Sequence, residues 1–135
     1  MGNIRAELSG KNKYYLSKHA FYMVYHYAMQ YPDWKQEYDS LSDSLKGADG
    51  MPGKNSMPGK PTENTGIKRA ELKTKMELVE ITAQETDKDL AEYILLGVIS
   101  GNSYNYLKMV HNIPCGRNQF YNLRRKFYYL LSKKI

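Results

Sequence analysis

Wherever apolar side chains recur in this chain they return every three or four residues, and that spacing constrains the fold more than any other feature. The clearest run is Phe120, Leu123, Phe127 and Leu130 with Leu131. A helix repeats about every 3.6 residues and a strand every two, so this run makes one stripe on a helix and no consistent face on a strand. The stretch from Lys13 to Tyr31 reads the same way. It holds no Pro or Gly and carries Tyr14, Tyr15, Leu16, Ala20, Phe21, Met23, Val24, Tyr25, Tyr27 and Ala28. Pro32 cannot continue that helix without removing a donor, but it suits the first turn of another. Trp34, Tyr38 and Leu41 follow at i, i+4 and i+7, which predicts a second, short helix from Pro32 to about Ser44.

From Lys46 to Gly66 the pattern gives way to Gly, Pro, Asn, Ser and Lys, with Met-Pro-Gly-Lys written at Met51–Lys54 and again at Met57–Lys60. Gly and Pro interrupt helix and ladder geometry, and the apolar content is too low to offset ordering, so a flexible linker is expected. The repeat is read as a short duplication in a tolerant segment. It lacks the spacing of a phosphate-binding loop. Helical spacing returns from Ile67 to about Thr86, through Leu72, Met76, Val79 and Ala83. Thr86-Asp87-Lys88-Asp89 then offers a cap and early acids to a helix over Leu90 to Ile99. Gly101-Asn102 closes it, Ser103 caps Tyr104 to about Val110, Asn112 to Gly116 forms a turn, and Arg117 to about Lys133 forms the last helix. The expectation is an all-α chain: an aromatic helical hairpin over residues 1–45, a flexible Gly/Pro linker over 46–66, and a helical bundle over 67–135 with a helix-turn-helix at 103–133.

Net charge is +6, but residues 1–102 hold 13 Lys/Arg against 14 Asp/Glu, whereas residues 103–135 hold seven Lys/Arg and no acid. A positive block of this kind attracts polyanions, nucleic acid first among them. The lone Cys115 allows no internal disulfide, no secretion signal is seen at the N-terminus, and no apolar run approaches the roughly 18 residues needed to cross a bilayer. A cytoplasmic chain without a membrane partner is expected. His19, His26 and His111 are too scattered for a metal site, Glu77, Glu80 and Glu85 read as solvated helix positions, and Cys115 has no suitably placed His in its local sequence. No catalytic constellation, metal site or cofactor is expected, so the chain is read as a non-enzyme.

The last 33 residues carry the functional expectation. Burying the stripe of the final helix against Tyr106, Leu107 and Val110, and against Ile94, Leu95, Val98 and Ile99, leaves polar residues outward on its N-terminal half. Arg117, Asn118, Gln119, Tyr121, Asn122 and Arg125 suit base edges in a major groove, since Arg pairs with guanine and Asn or Gln with adenine. Ser103, Lys108, Arg124, Lys126, Lys133 and Lys134 suit phosphates. The tyrosines at Tyr14, Tyr15, Tyr22, Tyr25, Tyr27 and Tyr31 admit base stacking or a protein interface. With local charge nearly balanced the interface is favoured, through Tyr22, Tyr25, Tyr31 and Trp34, with a homodimer or another protein as partner.

Ser103–Ile135, and above all Ile113-Pro-Cys-Gly-Arg-Asn-Gln-Phe-Tyr-Asn-Leu-Arg-Arg-Lys-Phe-Tyr-Tyr-Leu-Leu, resembles the C-terminal helix-turn-helix of the RinA/ArpU group of phage late-gene regulators, itself similar to region 4 of sigma factors. In that group a Ser/Thr cap precedes a polar triplet and an aromatic pair. Cys115, a poor cap, stands at the first position, which leaves the register open by one residue; Arg117-Asn118-Gln119 and Phe120-Tyr121 match the rest. The segment Tyr25–Tyr38 is similar to small phage and prophage proteins of low-GC Gram-positive bacteria. The resemblance implies a sequence-specific regulator of phage or prophage transcription in a bacterial host cell, with double-stranded DNA and RNA polymerase as partners. Alternatives are a DNA-packaging adaptor such as a terminase small subunit, or a helical protein-interaction module such as a phage-borne inhibitor of a host nuclease.

Overall fold

The computed structural model describes residues 13–50 and 60–135, and the side chains of 13–42 and 64–135. Among these residues there are helices and no strands. Six helices follow in chain order: α1 (Lys18–Met29), α2 (Tyr31–Gly50), α3 (Lys60–Thr86), α4 (Ala91–Ser100), α5 (Tyr104–His111) and α6 (Arg117–Ser132). The chain divides into two compact units, one built from the residues up to Gln30 together with Val79–Ile135, the other from Tyr31–Leu78.

The helix ends follow from local chemistry. Ser17 Oγ accepts from the Ala20 N–H at the start of α1, and Ser103 Oγ from the Tyr106 N–H at the start of α5. Each satisfies a donor that the first turn leaves without an intrahelical partner. Before α4 the Asp87 carboxylate accepts from the N–H groups of Asp89 and Leu90 in the turn that leads into the helix, whose own cap, Leu90, makes no side-chain bond. Thr86, expected there, is buried and donates to the Thr82 carbonyl. Gly101 ends α4 at φ 72°, a left-handed conformation that an L side chain adopts only with strain.

In the first unit α1 packs on α4 and α6, α4 packs on α6, and α5 packs on both α4 and α6. The buried face of α1 is Phe21, Val24, Tyr25 and Ala28. It meets the C-terminal half of α6 through aromatic rings: the Phe21 and Tyr128 centroids stand 5.3 Å apart edge to face, and Tyr25 and Tyr128 are 6.2 Å apart. Pairs of this kind add about 0.5–1.5 kcal/mol to the burial of the rings themselves. Between α4 and α6 the approach is closest at Gly97, where a Cβ would lie 2.9 Å from Phe120 Cζ.

In the second unit three pairs tie α2 to α3. Lys75 Nζ lies 5.7 Å from the Trp34 ring centroid, Lys68 Nζ is 2.7 Å from Glu37, and Arg69 donates to the Tyr38 hydroxyl at 3.0 Å with its guanidinium 4.3 Å over that ring. Trp34 near the start of α2 meets Lys75, while Glu37 and Tyr38 a turn further along meet Lys68 and Arg69, about two turns earlier in α3, so the two run antiparallel. Among the described side chains of this unit, Tyr31, Trp34, Leu72 and Met76 are the buried apolar ones.

The sequence boundaries therefore need correction. The expected hairpin of residues 1–45 does not form a unit, because α1 buries its stripe with α4 and α6 while α2 pairs with α3. The 67–135 segment divides likewise, its residues up to Leu78 belonging with α2. Of the expected linker 46–66, residues 46–50 continue α2 and 60–66 open α3; the first Met-Pro-Gly-Lys copy and most of the second lie outside the described residues.

Candidate nucleic-acid interface

The helix α5, the five residues Asn112–Gly116 and the helix α6 make a helix-turn-helix, with α4 packed behind both. Its core consists of Leu107, Ile113, Phe120 and Tyr121, with Tyr93, Leu96, Tyr104 and Cys115 partly buried against it. Asn112 takes φ 50° at the end of α5, a left-handed position that Asn tolerates better than most residues. The cap of α6 is Gly116, without a side-chain bond, so the register is one residue beyond Cys115. Burial first, and the Asp87 charge second, push the Cys115 thiol up, with Lys108 opposing. The thiolate is thereby disfavoured at neutral pH.

One side of the N-terminal half of α6 faces solvent. Arg117, Asn118, Gln119 and Asn122 are exposed, while Phe120 beneath them is fully buried. Arg117 donates through Nη2 to Asn105 Oδ1 at 2.7 Å, and Arg125 donates to Asn122 Oδ1. Arg125 and Lys126 are half-buried. Four of the six residues expected to face bases are thus exposed on adjoining turns, and Arg125 reaches one of them.

Tyr121 does not join them. It is buried, and its hydroxyl accepts the Tyr104 backbone N–H at 3.1 Å, locking the start of α5 onto α6. Arg124 is only 7% exposed, its guanidinium 4.8 Å over the Tyr121 ring, so it is a packing residue rather than a phosphate contact. Lys134 is paired with Glu85 at 2.6 Å. Lys133 is exposed, with its Nζ 4.7 Å from the Tyr129 ring, and Lys108 is exposed with its Nζ 3.5 Å from the Ile113 carbonyl. Ser103 is exposed at the start of α5.

The expected protein interface is largely internal. Tyr25, Tyr31 and Trp34 are buried within the chain, and Tyr22 is half-buried against the rings of Phe21, Tyr25 and His26. The sequence placed Tyr106 and Val110 in the core of the helix-turn-helix, yet they are exposed together with Met109, which is 86% exposed. One signal was available, since Leu107 and Ile113 suffice to meet α6 and a helix this short has one inward face.

Among the described residues no group of His, Cys, Asp and Glu is placed to hold a metal ion, and no helix is long and apolar enough to cross a membrane. Comparison of the chain with protein-family models, with curated proteins and with solved structures gives no match in any of the three.

Proposed function

We propose that the chain binds double-stranded DNA through the N-terminal half of α6, reading base edges in the major groove, and that it acts as a regulator of transcription rather than as an enzyme. The observation that carries this reading is the exposed row Arg117, Asn118, Gln119 and Asn122 on a helix anchored along its other side by Phe120, Phe127, Tyr128 and Leu131. Two further facts support it. Residues 103–135 contain no acid that would repel a duplex, and α6 starts from a backbone N-terminus whose dipole favours a phosphate. Lys108, Lys126, Lys133 and the start of α5 at Ser103 are then the phosphate contacts. The partner proposed with DNA is RNA polymerase at a phage or prophage promoter, as the resemblance of Ser103–Ile135 to phage late-gene regulators implies.

The test separates base reading from charge. Arg117→Ala should weaken binding to a preferred duplex by about 1–3 kcal/mol and relax preference at one position, whereas Lys133→Ala should weaken all duplexes alike and lower the salt slope by about one. Equal losses on preferred and random duplexes for both variants would remove the base-reading assignment.

A second reading has one observation in its favour. Tyr106, Met109 and Val110 form an apolar face on α5, and exposed apolar faces mark protein contacts. A protein-interaction module would bind through it and show no salt-dependent affinity for a duplex.

A further inference from the structure

We infer that Asn105 is a positioning residue for Arg117, holding its guanidinium in one orientation before any duplex arrives. The inference rests on the base-reading role given to Arg117 above. Arg117 is exposed at the first position of α6, where a long side chain would ordinarily sample many rotamers. Instead it is held by two consecutive residues of the preceding helix. Its Nη2 donates to Asn105 Oδ1 at 2.7 Å, and its guanidinium carbon stands 5.7 Å from the Tyr104 ring centroid.

Tyr104 is itself fixed from three directions. Its backbone N–H donates to the Tyr121 hydroxyl at 3.1 Å, its own hydroxyl donates to the Cys115 carbonyl at 2.7 Å, and its ring lies 6.0 Å from that of the buried Phe120. A continuous set of contacts therefore runs from the core through Tyr104 to the guanidinium. Asn105 adds the direction that a ring face cannot give, because an amide oxygen accepts along a defined line.

The chemistry of the acceptor fits this task. Arginine has five N–H donors, and Asn105 engages one nitrogen, leaving enough for the paired bonds that guanine O6 and N7 accept. A carboxylate in its place would hold the guanidinium as well, but would set a negative charge beside phosphates. A neutral acceptor orients the cation and leaves its charge uncompensated. An arginine ordered in advance loses less freedom on binding, so the benefit falls on the duplex that presents its acceptors where the guanidinium already points.

Two measurements on the full chain test this. The first is the guanidinium N–H spectrum of the protein without DNA. Arg117 should give slowly exchanging, separately resolved signals in the wild type and in Asn105→Asp, and averaged signals in Asn105→Ala. The second is the ratio of affinities for a selected and a random duplex, measured at one salt concentration. Asn105→Ala should lower that ratio about three- to tenfold, as expected for one side chain that must now be ordered on binding. It should lower it no further when Arg117→Ala is already present, and its thermal midpoint should match the wild type. Averaged Arg117 signals in the wild type overturn the inference, as does an unchanged ratio in Asn105→Ala where Arg117→Ala reduces it. A wild type that prefers no duplex removes the base-reading role instead, and the spectrum alone then decides whether the clamp exists.

Discussion

At the scale of single residues, the hardest positions to assign from sequence were those flanking the stripe of α6. Tyr121 and Arg124 lie just beside Phe120 and Phe127, and polar or amphipathic side chains at such positions usually face water. A helix that meets one neighbour hides one stripe. Helix α6 meets α1, α4 and α5, so its buried arc widens to include Tyr121, Arg124 and Tyr128. The exposed row Arg117-Asn118-Gln119 was legible because it precedes the region where α1 packs. Tyr121→Phe removes the acceptor of the Tyr104 N–H and should cost about 0.5–1.5 kcal/mol in chemical denaturation. Preference among duplexes should be unchanged; a loss of preference would return Tyr121 to the bases. Cys115 gives a second check. Its thiol is pushed up, so the thiolate fraction is small, and alkylation of the folded protein near pH 8 should be slower than that of the denatured chain. Equal rates would mean that burial has no hold on it.

At the scale of elements, most of the helices were legible because stop and start signals sit where the apolar period changes. Gly101 in the left-handed region and Ser103 as a cap both act as the sequence implied. The ends of α2 and α3 were less legible. Gly47 and Gly50 read as breaks, yet a single Gly costs a helix only about 1 kcal/mol, and α2 continues through Gly50. Gly97 tests the packing of α4 on α6. Alanine is the better helix former by about 1 kcal/mol, but its Cβ would meet the fully buried Phe120 ring at 2.9 Å. The clash should dominate, with Gly97→Ala lowering stability by about 1–3 kcal/mol in thermal or urea unfolding. A neutral or stabilising result would show that the two helices stand farther apart. Ser103→Ala should cost about 1 kcal/mol through loss of the α5 cap.

At the scale of the whole molecule, local pattern could not show which helix partners which. Nothing in the spacing of Phe21, Val24, Tyr25 and Ala28 says that their partners lie a hundred residues away rather than on the helix that follows Pro32. Short connections favour neighbours in sequence, and the hairpin expected for residues 1–45 rested on that preference. The structure instead closes the first unit by packing α1 on α4 and α6, which holds the C-terminal half of α6 and leaves its start in solvent. The charge of the C-terminal quarter, which local counting did show, then lies partly inward at Arg124 and partly paired at Lys134. Fewer of the seven cations are therefore placed to meet the duplex proposed above. The slope of log affinity against log salt should accordingly reflect about three to five phosphates.

The most direct test is selection of bound sequences from a random duplex pool by the full chain, repeated at two salt concentrations. The expected result is one enriched motif that persists at both, with preference at a position that Arg117→Ala relaxes. Binding that enriches no motif and disappears at the higher salt would contradict base reading by α6.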